Sequence, residues 1–222
     1  ISAATGIERR GLVLRLLTRL KQVCNHPAHF LSDGSALPGR SGKLEATVDL
    51  VETIAAEGES VLVFTQYVAM GHLLERHLRT DDRRTQFLHG GTSATARQRM
   101  VDEFQAGEVP VFVVSVKAGG TGLNLTAATH VIHYDRWWNP AVEDQAINRA
   151  HRIGAAGPVT VTRFITTGTI EERINQVLEE KRALFETILS QTDAPRSLGL
   201  SQDEVFGLFD LKSRKKEDRK VA

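Results

Sequence analysis

The stretch Val109–Asp135 reads VPVFVVSVKAGGTGLNLTAATHVIHYD. Its first part, Val109 to Val114, is an apolar run of strand length, as expected of a parallel strand buried on both faces. A second strand-like run, His130 to Asp135, closes the stretch. Between them lies the glycine-rich Ser115–Asn124, SVKAGGTGLN. A strand running into glycines lets backbone N–H groups approach a phosphate with no Cβ in the way.

The same alternation extends outward on both sides. Upstream, Ile7–Cys24 carries Leu12, Leu16, Leu17 and Leu20 at helical spacing, and Ser41 can cap a second helix with the stripe Leu44, Val48, Val51 and Ala55. Strand-like Val61–Thr65, helical Tyr67–Leu78, strand-like Gln86–Leu88 and helical Ser93–Gln105 lead into the central stretch. Helical Val142–Arg152 and strand-like Thr160–Ile165 follow it. This order predicts an α/β fold, a parallel sheet with helices on both faces, preceded by N-terminal helices and followed by a C-terminal helical extension. The extension is a long helix over Thr169–Ser190, capped by Thr169, with Glu171 and Glu172 near its positive end. After a break at Pro195–Gly199, Ser201–Leu211 suggests a short amphipathic helix to which no function is assigned. Ligands of open α/β sheets sit beyond the carboxyl ends of the strands. The glycine loop and Arg136–Pro140 both leave from that edge.

Gln145–Gly154 reads QAINRAHRIG and places Arg149 and Arg152 three residues apart on one helical face. Two guanidinium forks aimed together suit a phosphate, although a solvated charged face has the same spacing. His151, between them, is read as a packing histidine rather than a catalytic base.

The run Val111–Gly154 resembles the late motifs of Swi/Snf-family DNA translocases of helicase superfamily two, in their bacterial form. LKQVCNHP at Leu20–Pro27, SGKL at Ser41–Leu44, VLVFTQYVAM at Val61–Met70 and LHGGTSATARQRMVDEF at Leu88–Phe104 agree, so the resemblance covers Leu16–Ile174. It implies the second of two RecA-like lobes. Residues 1–40 would lead from the first lobe, 41–168 form the lobe itself, 169–211 a brace-like helix and a short helix, and 212–222 a basic tail. The phosphate loop G-x-x-x-x-G-K-[ST] is missing, since Gly42-Lys43 is followed by Leu44 and Leu37 stands where the first glycine belongs. No Asp-Glu-x-His segment occurs either. ATP and Mg2+ would therefore be held mainly by the first lobe, leaving this chain inactive alone, and the start at Ile1 fits a piece of a longer protein.

The resemblance further implies roles for single residues. Arg149 and Arg152 look like arginine fingers reaching the γ-phosphate, so that a change at either stops hydrolysis and leaves the fold intact. Gln145, Gly120, Gly122 and Asn124 would hold nucleotide or link its state to DNA grip. Gly90, Gly91 and Thr92 before a helix start, with Ser115, Lys117, Trp138 and Gln66, would touch double-stranded DNA. Such contacts position without reading bases, so binding is expected to be non-sequence-specific and salt-dependent. Core packing is the alternative for both tryptophans and the reading preferred for Trp137. The chain departs from the resembled pattern at Ala155, where glutamine is usual, and at Arg136, where proline is frequent in bacterial relatives. A charge at Arg136 is expected to meet DNA or solvent.

Composition bounds these readings. A chain of 222 residues with 41% hydrophobic content can bury roughly 70% of its unfolded surface in one core. Net charge is +1; Lys212–Lys220 contributes +4, which leaves −3 for the remainder, so any DNA site must be a local patch. A lone cysteine, Cys24, rules out an internal disulfide, and no apolar run approaches a membrane span. A cytoplasmic, nucleoid-associated protein is expected, acting on duplex DNA and on protein bound to it. Cys24, His26 and His29 could be read as zinc ligands, but a fourth is lacking nearby, and no metal is assigned to protein side chains. Two other functions compete: a nucleic-acid or protein binding module that takes no part in turnover, disfavoured by the paired arginines, and an RNA helicase lobe, disfavoured by Trp-Asn-Pro with Gln-Ala-x-x-Arg-x-His-Arg.

Overall fold

The computed structural model describes residues 6–80, 82–119, 123–150 and 157–189. The apolar runs become β1 (Val61–Thr65), β2 (Thr85–Leu88), β3 (Val111–Ser115), β4 (His130–His133) and β5 (Thr160–Arg163). All pair in parallel, in the order β2-β3-β1-β4-β5. Register aligns Thr65 with Ser115 and Phe64 with His133, so the carboxyl ends of the strands form one edge.

Connections are helical: α1 (Gly6–Asn25), α2 (Pro27–Leu31), α3 (Gly42–Ala56), α4 (Val68–Leu78), α5 (Ala94–Gln105), α6 (Val116–Gly119), α7 (Pro140–Ala150) and α8 (Ile170–Leu189). Side chains alternate across the sheet with a period of two. Val61, Val63, Val111, Val113 and Phe87 pack with Leu44, Val51 and Ile54 of α3 and Met70, Leu74 and Leu78 of α4. Leu62, Phe64, Phe112, Val114 and Leu88 share the second cluster with Phe104 of α5 and Ala146 and Ala150 of α7. Both faces being covered, β1 and β3 are buried along their whole length, which is why they read as unbroken apolar runs. Each large side chain so buried contributes about 1.5–3 kcal/mol. A third cluster joins Val13 and Leu17 of α1 to Ile174 and Leu178 of α8, with Trp138 packed against it.

Local signals set the helix starts. Ser41 accepts a hydrogen bond from the Leu44 N–H at 3.3 Å and Ser93 one from the Ala96 N–H at 3.3 Å, each at an extended N-cap. Gly71 is required where α4 crosses β2: a Cβ there would lie 2.1 Å from the Phe87 ring. Strands β4 and β5 end two residues earlier than expected, and three helices also differ. The Pro27–Leu31 helix is unforeseen; it starts at Pro27 after the His26 cap. Val116–Gly119 winds into one helical turn where an open glycine loop is expected. Helix α7 starts at Pro140, two residues ahead of Val142, because proline suits the first helical position. The helix expected over Ser201–Leu211 and the basic tail lie outside the described residues.

Candidate active site and nucleic-acid interface

The segments that follow the five strands all leave from the carboxyl edge. Adjacent strands are spaced about 4.8 Å apart, so the segments after β2 and β4, three steps apart in the sheet, emerge within about 15 Å of each other. Asp135, 3% exposed, is the centre of this edge. Its carboxylate accepts hydrogen bonds from Thr65 Oγ1 at 2.6 Å, Asn25 Nδ2 at 3.2 Å and the Gln66 N–H at 3.0 Å. One carboxylate thus ties α1, β1 and the chain after β4. Lys21 of α1 donates to the Arg136 carbonyl and lies 4.4 Å from the centroid of the Trp138 ring. Burial brings its ammonium down to about 8, against the opposing pull of Asp135 and Glu171.

Arg136 corrects its expectation outright. It meets neither solvent nor DNA but is 1% exposed, with Nη1 3.0 Å from Glu143 Oε2 of α7 and Nη2 3.6 Å from Glu179 of α8. A guanidinium can be buried here because a buried carboxylate stands opposite it. Glu143 also accepts the Trp137 N–H at 2.9 Å and stands 3.4 Å from Arg163 Nε on β5. A second buried pair, Lys43–Glu171 at 2.5 Å, joins α3 to α8, and Glu171 accepts the Thr166 N–H at 3.0 Å as well. A cleft of about 500 Å³ flanks this pair, between the start of α3 and the chain after β5, away from the arginine helix.

The candidate residues fall into three groups. Gln145, Asn124, Gly90 and Gly91 are exposed and Thr92 is half-buried. The turn before α5 is built by His89, whose Nδ1 accepts the Gly91 N–H at 3.1 Å while its own N–H donates to Thr92 Oγ1 at 3.1 Å. Four candidates are drawn inward. Arg149 is 5% exposed, a burial that its place in a charged motif did not announce. Ser115 is 2% exposed, at the buried end of β3. Gln66, half-buried, donates its side-chain amide to the Arg136 carbonyl at 3.1 Å, which makes it a tie within the fold. Trp138 packs on the α1–α8 cluster beneath Lys21, so it, and not Trp137, is the tryptophan seated on an apolar cluster. Arg152, Gly120, Gly122, Ala155 and the Lys117 side chain lie outside the described residues.

The zinc reading of Cys24, His26 and His29 meets a specific obstacle. His26 Nδ1 accepts the Ala28 N–H at 2.9 Å, and its Nε2 lies 3.0 Å from the Leu37 carbonyl. That pattern puts the ring proton on Nε2 and leaves no lone pair for a metal. Sequence reading missed Lys21, Asp135, Glu143 and the Lys43–Glu171 pair. Only Lys21 gave a signal, as a lysine four residues beyond Leu17 on the stripe begun by Val13.

The model of the helicase conserved C-terminal domain matches residues 42–154. The Bacillus subtilis protein YwqA, named for an ATP-dependent helicase/translocase, is 49% identical over 214 residues, covering 95% of this chain and 23% of YwqA. The Sulfolobus solfataricus SWI2/SNF2 ATPase core in complex with double-stranded DNA aligns at TM-score 0.72 and 40% identity, over 86% of this chain and 40% of that one. A Sulfolobus solfataricus SWI2/SNF2 ATPase C-terminal domain aligns at 0.69 and 38% identity, over 95% and 86%. The fold is that of a RecA-like α/β helicase lobe. The chain belongs to the helicase C-terminal domain family, and within it to the SWI2/SNF2 ATPases. It spans about a quarter of the length of YwqA.

Proposed function

We propose that this chain is the second motor lobe of a two-lobe ATPase that is stimulated by double-stranded DNA, moves along the duplex and displaces protein bound to it. The observation that carries this reading is the shared edge. Helix α7, which leads into Arg152, and the Gly90–Thr92 turn both follow strands whose carboxyl ends lie on the same edge of one parallel sheet, three strand steps apart.

ATP and Mg2+ are held mainly by the first lobe, and hydrolysis needs both lobes. Arg152 is the finger that meets the γ-phosphate as charge builds in the transition state. Arg149, buried one turn earlier, supports it from within the lobe. Gln145 and Asn124 border the nucleotide, with Gly120 and Gly122 shaping the loop between. Gly90 offers its backbone donor to a DNA phosphate ahead of α5, in a turn that His89 closes by accepting the Gly91 and Thr92 N–H groups, and Lys117 adds a cation nearby. Trp138 acts on DNA indirectly, by holding the loop after β4. Such contacts read no bases, and their affinity falls steeply with salt. The duplex named with the Sulfolobus relative supports the choice of DNA.

The test compares ATP hydrolysis by the two-lobe protein containing this chain with hydrolysis by this chain alone, each without nucleic acid, with duplex DNA and with RNA. The reading expects an inert lobe and a duplex-stimulated whole. A whole protein that ignores duplex, or responds to RNA instead, overturns it. A protein that binds DNA without any hydrolysis makes the chain a binding module.

A further inference from the structure

We propose that Glu143 is a positioning residue for the arginine motif, holding α7 in the one placement from which its carboxyl end serves the nucleotide. The inference rests on the motor-lobe reading above. Glu143 is 2% exposed, six residues before Arg149 on the same helix, and its carboxylate is the meeting point of three groups from two other segments. Arg136 reaches it from the turn after β4 at 3.0 Å, the Trp137 N–H from the same turn at 2.9 Å, and Arg163 from β5 at 3.4 Å.

These bonds fix more than the depth of a side chain. Among its described residues this short helix meets the sheet cluster through Ala146, Ala150 and the half-buried Ile147, a modest apolar grip because alanines offer small contact areas. A carboxylate bound from two directions sets the rotation and the axial position of α7 as well. Arg136 also reaches Glu179 at 3.6 Å, so that α8 feeds into the same point. The segment that begins with the Trp137–Trp138 pair and the helix that leads to Arg152 are thus joined through one buried carboxylate. Displacements of about 1 Å at a phosphoryl-transfer site can cost about 100-fold in rate. Losing the charge of Glu143 weakens its ties to Arg136 and Arg163 and frees α7 to shift by such amounts.

The experiment is a double-mutant cycle on the two-lobe protein, reading kcat and KM for ATP with duplex DNA at a temperature where every variant is folded. Glu143→Gln keeps the shape and an acceptor for the Trp137 N–H but drops the charge; Arg152→Lys keeps the charge of the finger but loses its fork. Glu143→Gln is expected to lower kcat by about 10- to 100-fold with KM for ATP within about twofold. Combined with Arg152→Lys it is expected to add little, because the loss is already taken at the finger. A role confined to folding would leave kcat unchanged in folded protein, or make the two losses multiply, and either result overturns the inference while leaving the motor reading in place. Arg152→Lys without effect overturns the finger reading and this inference with it. If Glu143→Gln does not fold, Arg136→Lys, which shortens the reach to Glu143, takes its place in the cycle with the same two outcomes.

Discussion

Lys21 is a cation placed where a leucine would serve the packing of α1, over the Trp138 ring and against the Arg136 carbonyl. Its pKa falls from 10.5 to about 8, chiefly through burial. Between those two values the unfolded chain binds more protons than the folded one, so this group makes stability rise as pH rises from about 8 toward 10.5. Denaturant unfolding of the chain and of Lys21→Met from pH 7 to 10.5 should therefore show the unmodified chain gaining on the variant above about pH 8; parallel curves would refute the assignment. Arg149 makes a second residue-scale prediction. Because it is 5% exposed, Arg149→Ala should cost about 1–3 kcal/mol of stability by thermal unfolding, beyond any loss of hydrolysis. An unchanged melting temperature would return it to the surface role its spacing suggests. Its position in a charged motif was legible in the sequence, but its burial was not, since periodicity cannot say which arginine of a charged face turns inward.

Elements were most legible where the sheet is covered on both sides. β1 and β3 stand where their apolar runs lie, and Ser41 and Ser93 cap the helices they precede. The short helices α2 and α6 were not, because four or five residues carry no measurable period. At α4 the close approach to Phe87 makes Gly71→Ala an overpacking change, expected to destabilise by about 1–3 kcal/mol in equilibrium unfolding; a neutral or stabilised variant would mean that the Phe87 ring moves aside freely. The Lys43–Glu171 pair ties α3 to α8 with side-chain exposures of 4% and 0%. Glu171→Ala strands the lysine and should cost about 3–5 kcal/mol. The double change Lys43→Met with Glu171→Gln keeps an acceptor for the Thr166 N–H and should be less destabilised than Glu171→Ala; equal losses would show that the buried charge is not what the single change exposes. Neither partner was recognisable from its neighbours, since the two are 128 residues apart.

For the whole molecule, the sheet order collects onto one edge segments that the sequence scatters from Gln66 to Arg163. The order of the motifs was enough to name the lobe and its fold. The ties that hold the edge together were hidden because they are long-range polar pairs: Asp135 bonds to Asn25 and Thr65 across 110 and 70 residues. With only −3 charges outside the basic tail, the molecule has no bulk attraction for DNA, and its proposed activity depends on local donors and on one arginine presented to another lobe. The most direct measurement is therefore duplex-stimulated ATP hydrolysis by the two-lobe protein carrying Arg152→Ala, with nucleotide and DNA binding measured on the same sample. A loss of at least about 10³-fold in rate with both bindings retained is the predicted result. A rate close to that of the unmodified protein would contradict the account.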